Sequence, residues 1–203
     1  MFENMKNRKE KKMKEKRLNE LSAMKSAKID EKYHSESESR RKRREIEEFT
    51  RKINDNQKKY LTASEVELPQ LIRDTARNKR MLNKREILVQ KFELDLEIAD
   101  HDIQLLEVEM HDVKYGTTNE SQKERDKYTE KRRNLMERLD QVIGQVKAAD
   151  DDFKDLSSSD EERKEMEYAR KLRASGLNPS DSDLDSSSKS GSEKDENSKS
   201  DNY

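Results

Sequence analysis

The chain has 203 residues, of which 29% are hydrophobic and 45% are Asp, Glu, Lys or Arg. Soluble globular domains are nearer one-half apolar and one-quarter charged, so this composition excludes a broad globular core. Gly (4) and Pro (2) are scarce, whereas helix-forming Lys, Glu, Arg and Leu are abundant. We therefore predict an all-α protein whose long helices form an antiparallel helical hairpin or coiled coil, with disordered charged termini.

The formal net charge of −1 conceals opposite charges at the two ends of the chain. Residues 1–45 contain 16 Lys or Arg and 9 Asp or Glu, a balance of +7. Residues 150–203 contain 9 Lys or Arg and 16 Asp or Glu, a balance of −7. We expect the two ends either to attract each other or to face different partners.

The sequence contains no cysteine, and neither a signal peptide nor an 18-residue apolar run is recognisable. These features predict an intracellular protein without disulfides and without membrane insertion. We favour the nucleus over the cytoplasm because a basic cluster is present.

The N-terminal region, residues 1–44, is rich in Lys and Glu and has only a fragment of an apolar stripe. We expect it to be largely disordered or a single helix. The serine-rich segment 34–39 interrupts it just before the basic cluster, which is formed by Arg40, Arg41, Lys42, Arg43 and Arg44. Such a cluster is typical of a nuclear-import signal or a phosphate contact, and equally of a solvated helix face.

Apolar residues at heptad spacing begin at Ile46 and predict a first amphipathic helix over residues 45–67. Pro69 either ends this helix or lies in the first turn of the next one.

The clearest pattern is the unbroken 3-4 spacing over residues 68–115, which predicts a rod-like helix of roughly 70 Å. Arg85 is a polar residue within this first seam, and we expect it to need an acidic neighbour. Other apolar residues lie off the first seam, so we predict at least two neighbouring helices in a three- or four-helix bundle. The first seam contains Leu82, Val89, Phe92, Leu96, Ile103, Leu106, Met110 and Val113, and the second seam contains Ile87, Leu94, Ile98, Leu105 and Val108.

A break at residues 115–119 separates this helix from a further heptad, which predicts a second hairpin helix over residues 117–156. The short connection predicts an antiparallel hairpin folded about residue 117, with Thr117 and Glu120 as a capping box. Leu135 is then opposite Ala99 of the first seam. The seam residues of this second helix are Leu135, Leu139, Val142 and Val146.

Charge supports the same hairpin. Residues 93–112 contain eight acids and no Lys or Arg, while residues 123–138 contain seven Lys or Arg and four acids. Folding about residue 117 is expected to bring Asp100 and Asp102 near Arg132 and Arg133. A competing pairing, in which two copies cross antiparallel near Phe92, also matches charges because residues 73–91 are basic.

The C-terminal part predicts a short helix over residues 157–175 and a disordered acidic, serine-rich tail over residues 176–203. Serines that precede acidic residues are candidate phosphorylation sites, and we select Ser159, Ser180 and Ser182.

No phosphate-binding loop, paired-histidine zinc motif or nucleophile elbow is present in the sequence. Two Glu/His pairs, Glu97 with His101 and Glu107 with His111, are better explained by helix-surface hydrogen bonds than by a metal. We therefore expect no catalysis, no cofactor, no metal site and no small-molecule substrate.

The favoured hypothesis is a non-catalytic coiled-coil subunit or adaptor of an intracellular multiprotein assembly that binds through helices 46–156. Its partners would be other coiled-coil proteins, or copies of itself in an antiparallel oligomer. The alternative is a nuclear chromatin- or RNA-associated factor whose basic N-terminus makes weak, sequence-independent contact with nucleic acid.

Overall fold

The computed structural model describes residues 2–154 and 160–176, and these residues form four helices and no β-strand. The helices are α1 (Phe2–Lys59), α2 (Leu68–Tyr115), α3 (Asn119–Lys154) and α4 (Asp160–Ser175). The prediction of an all-α fold built on helical hairpins is confirmed. None of the described helices combines the length and the apolar character needed to cross a bilayer.

Helix α1 is continuous from Phe2 to Lys59, through the segment 34–39 that we expected to interrupt it. It therefore joins the N-terminal region and most of the first amphipathic helix into one rod, which is about 87 Å long at the usual rise per residue. Residues 2–59 include neither Gly nor Pro, the two residues that most disfavour a helix interior. The serines are thus accommodated rather than acting as breakers.

The connection between α1 and α2 contains a capping box that the sequence analysis did not identify. The Ser64 backbone N–H donates to Glu67 Oε2 (3.1 Å), and the Glu67 N–H donates back to Ser64 Oγ (3.3 Å). These hydrogen bonds to Ser64, the backbone one first, lower the pKa of Glu67. Pro69 lies in the first turn of α2, where its missing N–H costs no hydrogen bond.

The turn between α2 and α3 uses Gly116 at a backbone φ of 93°, a conformation that favours glycine. The Gly116 N–H closes α2 on the Asp112 carbonyl at 2.8 Å. The capping box at the start of α3 is one residue later than expected: Thr118 and Ser121 exchange backbone-to-hydroxyl hydrogen bonds of 2.9 and 3.0 Å. Thr118 thus fills the N-cap role that we had assigned to Thr117.

Helix α2 is the centre of the bundle. Helix α1 packs antiparallel along it on one side, and α3 followed by α4 packs antiparallel on the other. One apolar cluster joins α2 to α3 through Leu94, Ile98 and Leu135. A second cluster, formed by Tyr60, Ile72, Ala169 and Leu172, joins the α1 end, α2 and α4. The molecule is therefore a layer of helices with α2 in the middle.

Candidate interaction surfaces

The two seams of α2 are occupied by different helices of the same chain. On the second seam, Leu94 and Ile98 pack against Leu135 of α3, with Met136, Leu139 and Val142 around them. We had expected α3 on the first seam, opposite Ala99. The difference arises because α1 covers the first seam, which leaves the second seam to α3.

Ion pairs show that α1 lies along the first seam. Acidic residues flank that seam on both sides at heptad spacing, and α1 supplies a Lys or Arg to each of five of them. The pairs are Lys25–Glu107 (2.6 Å), Lys28–Asp102 (3.3 Å), Lys32–Asp100 (2.5 Å), Arg17–Glu109 (3.4 Å) and Arg43–Glu93. The acidic run 93–112 is thus neutralised chiefly by the N-terminal region.

Many seam residues remain partly accessible after this packing. Val89 and Leu106 of the first seam are buried, as are Leu94, Ile98 and Val108 of the second seam and Leu135 of α3. The other seam residues are half-buried: Leu82, Phe92, Leu96, Ile103, Met110, Val113, Ile87, Leu105, Leu139, Val142 and Val146. Neighbouring helices cover α2 on two sides only, so we expect many of its apolar side chains to be half-buried.

Arg85 has the acidic neighbour that its position demanded. Its guanidinium contacts Glu45 of α1, which also accepts hydrogen bonds from Lys42 Nζ at 2.8 and 3.0 Å. Burial alone would raise the pKa of Glu45, but the hydrogen bonds from Lys42 and Arg85 hold it below its ordinary value. Lys42, Glu45 and Arg85 thus form a polar contact that joins α1 to α2. A polar residue at a seam position favours one register of the two helices over others.

The basic cluster 40–44 lies on α1 and is largely paired within the chain. Lys42 is buried against Glu45, and Arg43 contacts Glu93 of α2. Arg40 and Arg41 form ion pairs along their own helix, with Glu36 and Glu38. The Arg44 guanidinium donates to the Arg40 carbonyl. These contacts leave this cluster less available to an external anion than its sequence suggests.

Asp102 links three helices. Its Oδ1 accepts from Arg132 Nε of α3 at 2.5 Å, and its Oδ2 lies 3.3 Å from Lys28 Nζ of α1. The contact with Arg132 is the part of the predicted pairing that the structure confirms. Asp100 pairs with Lys32 of α1 instead of with α3, and the contact of Asp102 with Lys28 was not anticipated. The pKa of Lys28 is raised, mainly by its hydrogen bond to Glu31 and to a smaller extent by the Asp102 carboxylate. This lysine therefore stays charged.

Replacing Asp102 with alanine is expected to lower the free energy of unfolding by about 1–3 kcal/mol, because two cations lose a shielded carboxylate. The Asp102 side chain is only 12% exposed, so water cannot fully replace it. Urea denaturation followed by circular dichroism measures the loss. The matched control is Asp126→Ala on the exposed face of α3, and equal effects of both variants would show that Asp102 is no special link.

A groove runs between α1 and α3 over the surface of α2, with a volume of about 340 Å³. We call it the α1–α3 groove. Ile98 and Ala99 lie on its floor, His34 and Ser35 on its α1 wall, and Met136 and Leu139 on its α3 wall. Ala99 and Ser35 are small and buried, so the helices approach closely here and leave a shallow channel. Its floor is apolar, whereas the charged residues Lys28, Glu31, Asp95, Asp102 and Arg132 also line it.

Helix α4 is held by a buried polar network at the other end of the bundle. Glu165 accepts hydrogen bonds from Tyr60 Oη (3.1 Å) and Gln57 Nε2 (3.2 Å), and forms an ion pair with Lys79. Burial raises the pKa of Tyr60, so its hydroxyl stays protonated and remains a donor. Arg173 donates to the Tyr60 carbonyl at 2.7 Å near the end of α1.

The histidines have ordinary surface contacts. His101 Nδ1 lies 3.2 Å from Gln104 Oε1, and its ring is 5.8 Å from that of Tyr128. The His111 ring lies 4.9 Å from the Tyr115 ring. Within residues 2–154 and 160–176, no group of three or more His, Asp or Glu side chains is arranged to hold a metal ion. The candidate phosphorylation sites Ser159, Ser180 and Ser182 lie outside the described residues.

Sequence reasoning missed the pairing of α1 with α2 because the α1 seam is polar. The 3-4 spacing that begins at Ile46 extends back without a slip through Leu21 to Leu18, but the six seam positions between Ile46 and Leu21 are polar: Lys42, Ser39, Ser35, Lys32, Lys28 and Lys25. Ser35, Ser39 and Lys42 are buried there. The signal that identifies the helix is the spacing itself, together with an acidic run of matching length on α2.

Comparison with models of protein families, with curated proteins and with solved structures finds no match for this chain.

Proposed function

We propose that the protein is a non-catalytic coiled-coil subunit or adaptor of an intracellular multiprotein assembly. The observation that carries this proposal is the α1–α3 groove, with its apolar floor and the half-buried Met136 and Leu139 on its α3 wall. A helix from a partner laid in this groove would complete a four-helix arrangement over α2 and bury Met136 and Leu139. The partner would therefore be an amphipathic helix.

The chemistry of the groove favours binding over catalysis. The charged groups around it are engaged in ion pairs: Asp102 pairs with Lys28 and Arg132 across the bundle, and Glu31 and Asp95 pair with lysines of their own helices. Such pairs stabilise the packing of the helices. The groove itself is an open channel, whereas small-molecule sites are enclosed pockets. The resolved pKa shifts among the described residues arise from ion pairs, hydrogen bonds and the burial of Tyr60, not from converging groups in a cleft.

The intrachain pairing changes what a partner would contact. The first and second seams are used by α1 and α3, so partners are expected at the rims of these seams, along the α1–α3 groove, rather than on the seams themselves. Because α1 and α3 of the same chain already occupy the two seams of α2, a second copy is not needed to cover those seams. We accordingly favour a different protein over an antiparallel homo-oligomer as the partner.

The test places a photo-crosslinking amino acid at His34 or at Met136, on the two walls of the groove, in the full-length chain. Asn134 is the matched control because it is exposed, lies on the same helix as Met136 and does not line the groove. We expect both groove positions to capture the same protein in cells, and Asn134 to capture it much less.

Two outcomes would overturn this proposal. Equal capture at Asn134 and Met136 would show that the groove is not a specific surface. Capture of only a second copy of the chain, with a dimer in sedimentation equilibrium of the full-length protein, would make it a self-assembling rod instead of an adaptor.

A further inference from the structure

The first turns of α1 extend beyond the end of the bundle. Arg17 contacts Glu109, close to the point where α2 ends at Tyr115, so residues before Arg17 soon pass the last turn of α2. Leu21 is completely buried, whereas residues 6–17 are all exposed. We call residues 6–16 the basic overhang. It is a helix whose sides are open to solvent.

The overhang is strongly basic and has no apolar seam. It contains seven Lys or Arg and two Glu, a balance of +5. The seam positions, continued back from Leu18, are occupied by Lys14, Lys11 and Asn7. Met13, which is 72% exposed, is its single apolar residue. An apolar stripe for a coiled-coil partner or for a membrane interface is therefore lacking.

This charge arrangement is unfavourable for the helix on its own. Lysines near the beginning of a helix lie at the positive end of its dipole, where cations cost rather than contribute stability. Like charges three and four residues apart add a further cost. A polyanion bound along this segment would reverse the sign of both effects.

The two basic segments of α1 differ in availability. Within the described residues, no ion pair is formed by Lys6, Arg8, Lys9, Lys11, Lys12 or Lys14. In the basic cluster 40–44, by contrast, Arg40, Arg41, Lys42 and Arg43 are all paired with glutamates. The overhang, not the cluster, is thus the anion-binding candidate.

We propose that the basic overhang binds the phosphate backbone of duplex nucleic acid without sequence preference, a function beyond the groove-mediated docking. Its lysines can neutralise phosphates and release counterions. A helix of this width fits the major groove of DNA, and basic residues on all sides of the helix can reach both strands. An acidic protein partner is less suited because the overhang has only one apolar residue, Met13, and so no apolar stripe to fix a register.

The test is fluorescence anisotropy of a labelled 20-base-pair DNA duplex with the full-length protein over a range of salt concentrations. The variant carries Lys9→Gln, Lys11→Gln, Lys12→Gln and Lys14→Gln, since glutamine has a helix propensity close to that of lysine. The matched control carries the same number of neutralised charges on the exposed face of α3: Lys123→Gln, Lys131→Gln, Arg133→Gln and Lys147→Gln.

We expect the overhang variant to bind about tenfold or more weakly at low salt, with a slope of log K against log salt that is smaller by about 3–4. Its thermal stability should equal or exceed that of the parent chain, whereas the α3 control should bind nearly as the parent does. Equal weakening in both variants, or none in either, would overturn the proposal.

Parallel titrations distinguish the sources of the anion. Binding of duplex RNA of the same length with the same dependence on the four lysines would extend the site to both nucleic acids. Tighter binding of polyglutamate than of either duplex would overturn the assignment and identify an acidic protein as the ligand.

Discussion

The variant Glu165→Ala is expected to release α4 from the bundle while α1, α2 and α3 stay folded. Glu165 is 1% exposed, and its carboxylate is shared by Tyr60, Gln57 and Lys79. Removing one partner from a buried ion pair costs about 3–5 kcal/mol. Only Ala169 and Leu172 add buried apolar contacts from α4, and a 16-residue helix is marginal in isolation.

Hydrogen exchange of the peptide covering residues 160–175 measures this release. We expect its protection to fall to that of an open helix in Glu165→Ala, with little change in α2 and α3. The matched control is Glu167→Ala, since Glu167 lies two residues along the same helix with its side chain 67% exposed and paired only with Lys171. Retained protection in Glu165→Ala would show that the apolar contacts suffice and that the buried carboxylate is dispensable.

An intermediate variant separates charge from hydrogen bonding. Glu165→Gln retains an oxygen that can accept from the Tyr60 hydroxyl but loses the ion pair with Lys79. In this chain with few apolar residues, one buried carboxylate contacts α1, the residue that follows it, and α2. These polar contacts hold α4 where the apolar contact area is small.

Local rules predicted α2 and α3 from sequence alone because both helices have apolar seams and obvious ends. Helix α2 has Pro69 in its first turn and closes at Gly116, and its hairpin with α3 brings Asp102, one of the two acids that charge matching placed there, to Arg132. A heptad with apolar residues and a short turn leaves few alternatives. The seam assignment was less certain, because two seams on one helix do not reveal which neighbour takes which.

Helix α1 shows where sequence reasoning failed and why. Lys28, Lys32 and Ser35 occupy seam positions, and a search for apolar periodicity treats such residues as solvent-facing. The role of the two lysines depends on acids about 70 residues away, on α2, and this pairing becomes visible only when both helices are placed side by side. The candidate site was correspondingly unpredictable, since the α1–α3 groove exists only because α1 is present.

Deleting residues 1–44 is expected to destabilise the whole bundle, by more than about 3 kcal/mol, whereas deleting residues 1–16 is expected to leave it intact. The longer deletion removes the buried Leu21 and all five ion pairs to the acidic face of α2. Loss of one buried leucine costs about 2–5 kcal/mol, and each exposed pair adds up to about 1 kcal/mol. The shorter deletion removes only exposed residues of the overhang among those whose side chains are described.

Sedimentation equilibrium and thermal melts of both deletions distinguish two roles for α1. If α1 is an integral layer, the 1–44 deletion exposes most of the first seam and removes the α1 partners of five acids in 93–112. The chain should then self-associate through antiparallel crossing near Phe92, where residues 73–91 supply the opposite charge. A helical monomer with an unchanged melting temperature would contradict this and make α1 an accessory arm. Because the two deletions differ only in residues 17–44, the comparison also separates the structural part of α1 from the overhang proposed to bind nucleic acid.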